Sequence, residues 1–524
     1  MTKRIFTSAV LILTVALLMV SSSTQAKERP ENTFVLAIAS DISTLDPNHV
    51  RGWASRGVWA YIYQPLIFVS GIDRTPLPGL AESWDLVNPT TWKFKIRKGV
   101  KFENGRPFTA ADAKYSIDRI LRRVNKRYPG FATKMFGRFI DQVETPDDYT
   151  LVITTKYPEI TFIHLISAIF LVSETYVEEV GDKEMAKNPI GTGPFKFVER
   201  QPSESITLNA SEGYWNTNPA PGTFGPPKID RVVMRIIPEM QTRIAALKAK
   251  EVDGNGGIQV DAARELEKNP EINLFYTVDN SPQMLLFNWR ADKDPKTGKP
   301  NPFKDVRVRR ALNHAIDVPT LIKNYLTGRE LRATLIGSGA VGYNPDVPFY
   351  EYNLEKARQL LTEAGYPKGF EFTFHTIANM PPVFQAIHQY WRDAGLKVNL
   401  RVTTVPVIVN EVIRKKLYGV VNWSAGRGRE TAKQFFDSTM RYNGIWSLHA
   451  KDERVEALVE KQGKEFDQEK RAALIHEVVK ILWKDAWFVP LWEPVVIKAI
   501  RKEWEYEDWP AALSIYLTNL SRKK

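Results

Sequence analysis

Cysteine is absent from the 524 residues. That excludes disulfides, thiolate metal sites, a cysteine nucleophile and a lipidated N-terminal cysteine. Histidine is scarce. The seven (His49, His164, His314, His375, His388, His449 and His476) are scattered, and none falls in H-E-x-x-H or another short metal spacing. No G-x-S-x-G occurs, so the common nucleophile elbow is missing. No stretch reaches 18 consecutive apolar residues. Like charges never run to five, and stretches such as KEFDQEKR and KDERVEALVEK mix both signs. The formal net charge of +12 is therefore dispersed rather than gathered into a patch for nucleic acid. The carboxylate pair Asp147-Asp148 sits in a polar turn, where solvation accounts for it. These absences leave nothing that asks for catalysis, a cofactor or a protein-held metal.

What is present begins with a leader. Lys3 and Arg4 precede an apolar run from Ala9 to Val20, followed by SSSTQA. Twelve residues of helix span about 18 Å, against ~30 Å of hydrocarbon, so the run reads as a signal peptide cleaved after Ala26. Removing 26 of the 524 residues leaves 498, and the loss of two basic residues takes the net charge from +12 to +10. An exported chain without a lipid-bearing cysteine implies a periplasm to hold it. At this length more than one core is expected.

Strand and helix signals alternate along the chain. Thr33 to Ala39 is a continuous apolar run suited to a strand buried on both faces. Trp92, Phe94 and Ile96 alternate with Lys93, Lys95 and Arg97, the period of a half-buried strand. Thr109 and Asp112 form a capping-box pattern. The helix behind them has Ala113, Ile117, Ile120, Leu121 and Val124 on one face, and Arg119, Arg122 and Arg123 on the wet side. Asn188-Pro-Ile-Gly-Thr-Gly193-Pro194 lacks a GK[ST] ending and runs into Phe195, Phe197 and Val198, so it reads as a chain turn rather than a phosphate loop. Ile229 to Ile237 reads as a strand and Thr242 to Lys250 as a helix. Leu354 to Ala364 forms a helix closed by Gly365 and Pro367, and Phe370, Phe372 and Phe374 then alternate as a strand. This grammar is that of an α/β protein.

Four stretches carry a resemblance. They are Leu80-Ala-Glu-Ser-Trp84 with Trp92 to Asp112; Asn188 to Phe195; Phe303 to Asp317 (FKDVRVRRALNHAID); and Tyr343-Asn-Pro345 through Ala364-Gly365-Tyr-Pro367. In this order they resemble the oligopeptide, dipeptide and nickel periplasmic binding proteins, solute-binding family 5. The resemblance implies an α/β, two-lobed fold with a hinge and an extra domain inserted in the first lobe. It places lobe I at 27–65, 188–278 and 488–524, the extra domain at 66–187 and lobe II at 279–487. It implies a monomer that closes on a small-molecule solute and docks on the membrane permease of an ABC transporter.

The same resemblance locates an acidic position shortly after a tryptophan, which in peptide binders pairs with the ligand's α-amino group. Here Trp423 is followed by Ser-Ala-Gly426-Arg427-Gly428-Arg429-Glu430, with glycine where the acid is expected and two arginines beyond it. A shifted alignment would let Glu430 serve as the acid. A buried ammonium without a carboxylate is disfavoured, whereas guanidinium groups pair with carboxylate or phosphate. The expected solute is therefore anionic or conjugated, opine-like or an acidic sugar derivative, rather than a free-amine peptide. A metal–chelator complex, di- or oligopeptides, and an exported hydrolase are the alternatives. Trp423, Arg427, Arg429, Trp446, Trp53 and Trp59 are the expected ligand contacts.

Overall fold

The computed structural model describes residues 30–49, 53–70, 74–122, 136–295, 297–377, 382–424, 432–509 and 514–524. The expected strand at Thr33–Ile38 lies near the middle of a seven-stranded sheet. Across that sheet the order is Ile272–Val278, Val495–Arg501, Gly254–Gly256, Thr33–Ile38, Arg231–Ile236, Ser205–Ala210 and Phe195–Gln201. Both faces of Thr33–Ile38 are buried, as a continuous apolar run requires. Phe34 and Leu36 enter one core with Trp59 and Ile62, while Val35 and Ala37 enter another with Leu247 and Leu266. This sheet is the body of the first lobe.

The second lobe is built on five strands ordered Lys397–Thr403, Glu371–Ile377, Val420–Ser424, Gln283–Phe287 and Phe488–Pro490. Leu285 and Phe287 point to one core and Met284 and Leu286 to the other, so helices cover both faces. Phe488–Pro490 departs from the expected division after residue 487. It pairs with Gln283–Phe287 through Leu286↔Phe488 and Met284↔Pro490, so the chain is still in the second lobe there. Only at 491–494 does it cross back to the first.

That crossing runs beside the earlier one at 279–282. Asp279 N donates to Pro494 O at 2.7 Å, and Leu491 N to Gln283 O at 3.0 Å. Glu493, fully buried, accepts from Ser338 N at 2.8 Å and Ser338 Oγ at 2.5 Å. The hinge is thus two antiparallel strand connections with a third segment bonded to them.

A four-stranded antiparallel sheet, Ala81–Asn88, Thr91–Ile96, Thr150–Thr155 and Ile140–Asp147, forms the inserted unit with helix Ala110–Ile120. Trp92, Phe94 and Ile96 are buried and Lys93 and Lys95 exposed, as their alternation requires. Thr109 N donates to Asp112 Oδ2 at 2.9 Å, the reach-back half of the capping box. Arg119 departs from expectation. It is buried, not wet, and donates to Asp46, Asn48 and Asp182. The carboxylates neutralise it where it ties the inserted unit to the first lobe.

The 188–194 turn packs against the end of helix Trp53–Ile62. A Cβ at Gly191 would sit 1.8 Å from Ile62 O, and one at Gly193 would sit 2.2 Å from Tyr61 O. Close backbone approach, not phosphate, explains these glycines.

Candidate functional site

In open α/β sheets, ligands bind outside the carboxyl ends of the strands, where successive connections leave in opposite directions. In the second lobe, Glu371–Ile377 pairs in parallel with both Lys397–Thr403 and Val420–Ser424. The chain leaves the first of these strands to one side and then crosses back to the other. The switch therefore falls between Glu371–Ile377 and Val420–Ser424, and the general rule puts a ligand crevice beyond Ile377 and Ser424.

Trp423 stands at that end. Its ring centroid lies 5.4 Å from that of Trp446, with the planes tilted by 50°. Both rings are partly buried and rest on the core formed by Val421, Phe435 and Trp487. One donor here has no partner among the described residues, Trp423 Nε1; Asn422, opposite Leu285, lies on the other face of the sheet. An unmade bond like that of Trp423 is costly in a finished core, and is what a solute can satisfy. The structure thus brings together two of the expected contacts, Trp423 and Trp446. Arg427 and Arg429, with Gly426 and Glu430, lie outside the described residues. Trp53 opens helix Trp53–Ile62, and its side chain is likewise outside the described set.

Trp59 belongs elsewhere. It is 1% exposed in the first-lobe core, and its indole N–H donates to Thr44 O at 2.9 Å. With no free surface and its one polar atom spent, it packs the lobe rather than presenting itself to a ligand.

The first lobe has the same topology. Thr33–Ile38 pairs in parallel with Arg231–Ile236 and Gly254–Gly256. Its carboxyl end is tied down by buried Arg243, which donates to Ile237 O and Pro238 O at 2.6 Å each and to Asn255 Oδ1 at 3.3 Å.

Between the inserted unit and the second lobe lies an ionic contact with no sequence signal. Glu159 (1% exposed) accepts from Thr161 N and Oγ1 and, at 3.2 Å, from Lys433 Nζ. Lys433 also bonds Asp437 at 2.7 Å. Burial opposes the lysine's charge, but the two carboxylates outweigh it and raise its pKa. In the chain, Lys433 comes four residues after Arg429 and six after Arg427.

A cavity of about 810 Å³ opens in the second lobe, but at the opposite end of the sheet. Its walls include Glu371, Thr373, Asn399 and Tyr418, at the amino ends of the parallel strands. Its guanidinium, Arg401, is engaged by both oxygens of Glu411 at 2.7 and 2.8 Å. It is not the switch crevice.

No helix among the described residues is long and apolar enough to cross a membrane. The profile of the bacterial extracellular solute-binding proteins, family 5 (middle), matches residues 75–446. The glutathione-binding protein GsiB of Escherichia coli O1:K1 / APEC is 29% identical over 508 residues, covering 93% of this chain and 92% of GsiB. HbpA2 from Haemophilus parasuis superposes with a TM-score of 0.81 at 26% identity, over 94% of this chain and all of that one. The periplasmic binding protein DppA from Helicobacter pylori, in complex with peptide STSA, does so with a TM-score of 0.74 at 26% identity, over 94% and 98%. The chain belongs to family 5 of the bacterial extracellular solute-binding proteins, as the solute-binding component of an ABC importer that works with a membrane permease.

Proposed function

We propose that the solute is a small anionic conjugate held at the carboxyl end of Val420–Ser424. One observation carries this reading. The strand that ends in Trp423 and Ser424, beside the switch crevice, runs on into Gly426-Arg427-Gly428-Arg429, where an acidic residue would serve a free amine. Guanidinium groups favour carboxylates through paired hydrogen bonds, and the Trp423–Trp446 pair supplies flat apolar contact. The likeness to a glutathione-binding protein supports the same chemistry. Glutathione carries two carboxylates and one ammonium, and Glu430, next to Arg429 in the chain, would serve the ammonium. An opine, with its acidic amino-acid half, fits equally. The likeness to a peptide-bound DppA favours ordinary peptides as a second reading, with Glu430 again the acid. In either case residues 1–26 are removed on export and the mature chain acts as a periplasmic monomer.

The test is thermal stabilisation and calorimetry of the mature protein with glutathione, mannopinic acid, Ala-Ala and a nickel–histidine chelate. A solute at a hundredfold over its Kd adds about 2.7 kcal/mol to the native state. Stabilisation by glutathione or mannopinic acid, lost in Arg427→Ala/Arg429→Ala, supports the anionic reading. Stabilisation by Ala-Ala alone overturns it.

A further inference from the structure

Four helices of the second lobe end in the same way, Gln468–Lys484 among them, where Ala486 N bonds Trp483 O and Trp487 N bonds Leu482 O. After Leu354–Glu363, Gly365 N bonds Thr362 O and Tyr366 N bonds Leu361 O. After Val383–Asp393, Gly395 N bonds Arg392 O and Leu396 N bonds Trp391 O. After Val405–Ile413, Lys415 N bonds Val412 O at 2.9 Å and Lys416 N bonds Glu411 O at 2.8 Å. Each is the paired closure that requires a left-handed residue, a place glycine fills without strain. Gly365 and Gly395 have φ of 90° and 94°; Lys415 has φ of 57°. Two of the four helices put glycine there, one puts Ala486 (φ of 48°), and Val405–Ile413 puts a lysine.

The side chain shows what it gains there. Lys415 Nζ donates to Gly444 O, Ile445 O and Ser447 O, each at 2.9 Å. An ammonium has three N–H donors, and all three are used. The acceptors flank Trp446 on both sides in the chain. The rest of the loop is held separately: Trp446 N donates to Ser438 O at 2.8 Å, and Arg290 to Tyr442 O at 2.7 Å. Burial, with Arg290 nearby, draws the Lys415 pKa down to about 8, which leaves it mostly protonated at neutral pH.

We infer that Lys415 is a positioning residue of the solute site: its ammonium gathers the carbonyls around Trp446 and fixes that ring against Trp423. The inference rests on the reading of the Trp423–Trp446 pair as a wall of the site. It also separates two roles that usually travel together, because glycine at 415 relieves the backbone while removing the anchor.

The experiment uses the full mature protein with Lys415→Gly, Lys415→Met and Lys415→Arg. Three quantities are read: the thermal midpoint, the circular-dichroism couplet of the tryptophan pair (assigned by its loss in Trp446→Phe), and affinity for glutathione, mannopinic acid and Ala-Ala. Lys415→Gly is expected to keep or raise the midpoint, to lose the couplet, and to weaken whichever of the three solutes binds the wild type at least tenfold. Lys415→Met loses the couplet as well, and Lys415→Arg restores it in part. An unchanged couplet in both Lys415→Gly and Lys415→Met overturns the inference, as does a lost couplet with undiminished affinity. Should none of the three solutes bind the wild type, the anionic reading falls, while the couplet still decides whether Lys415 holds Trp446.

Discussion

Two tryptophans, one in each lobe, make an instructive pair. Trp59 of the first lobe and Trp423 of the second are both expected ligand contacts by sequence. Trp59 gives its N–H to Thr44 O and is buried in a closed core. Trp423 keeps its N–H without a partner among the described residues, at the carboxyl end of Val420–Ser424. Under the proposed function the same residue type is structure in one lobe and recognition surface in the other.

The largest expected effect would break or sustain this contrast directly. Trp59→Ala should cost about 3–5 kcal/mol of stability, as large-to-small changes in cores do, and leave solute affinity of the folded fraction unchanged. Trp423→Ala should do the reverse, weakening solute binding tenfold or more with a small change in thermal midpoint. Chemical denaturation and calorimetry on both variants decide. A Trp423→Ala protein that unfolds while its affinity per folded molecule persists would erase the difference.

A smaller effect is expected where the inserted unit meets the second lobe. Removing one member of a buried ion pair strands the other. Lys433 retains some exposure, so Glu159→Gln should cost on the order of 2 kcal/mol, below the full buried-pair penalty. Solute release should quicken as well, because separation of the two bodies no longer breaks that contact. Stopped-flow dissociation checks this, and Glu159→Gln/Lys433→Met should recover part of the stability.

The smallest effect is one of pH. Burial pushes Glu103 up to about 7, against the opposing bond from the Gly191 amide. Its folded pKa lies above the unfolded value, so between about 4.5 and about 7 the native state binds more protons. Stability from this group is full below that window and is lost as pH rises through it. Glu103→Gln should flatten this part of the stability profile, measured by denaturation at stepped pH.

Much of the fold was legible because local pattern and burial agree. Trp92, Phe94 and Ile96 face a core, Thr33–Ile38 is covered on both faces, and Gly365 closes its helix. Where partners are distant, the pattern misleads. Arg119 sits on a face that reads as wet because its neutralising carboxylates, Asp46 and Asp182, lie 73 and 63 residues away. Lys415 reads as a surface lysine after a helix, since nothing local announces the three carbonyls some 30 residues on. Trp423 and Trp446 were found through resemblance, not periodicity.

The paired crossings at 279–282 and 491–494 also set a timetable for synthesis. Val495–Arg501 inserts between Ile272–Val278 and Gly254–Gly256, so the first-lobe sheet stays split until the chain is made through Arg501. At about 5–20 residues per second, Ile272–Val278 waits roughly 10–40 s for its partner. The second lobe's strands emerge entirely within that interval. A chain made in this order keeps Ile272–Val278 as an open edge while the whole second lobe is made, and the first lobe closes its sheet only when Val495–Arg501 arrives.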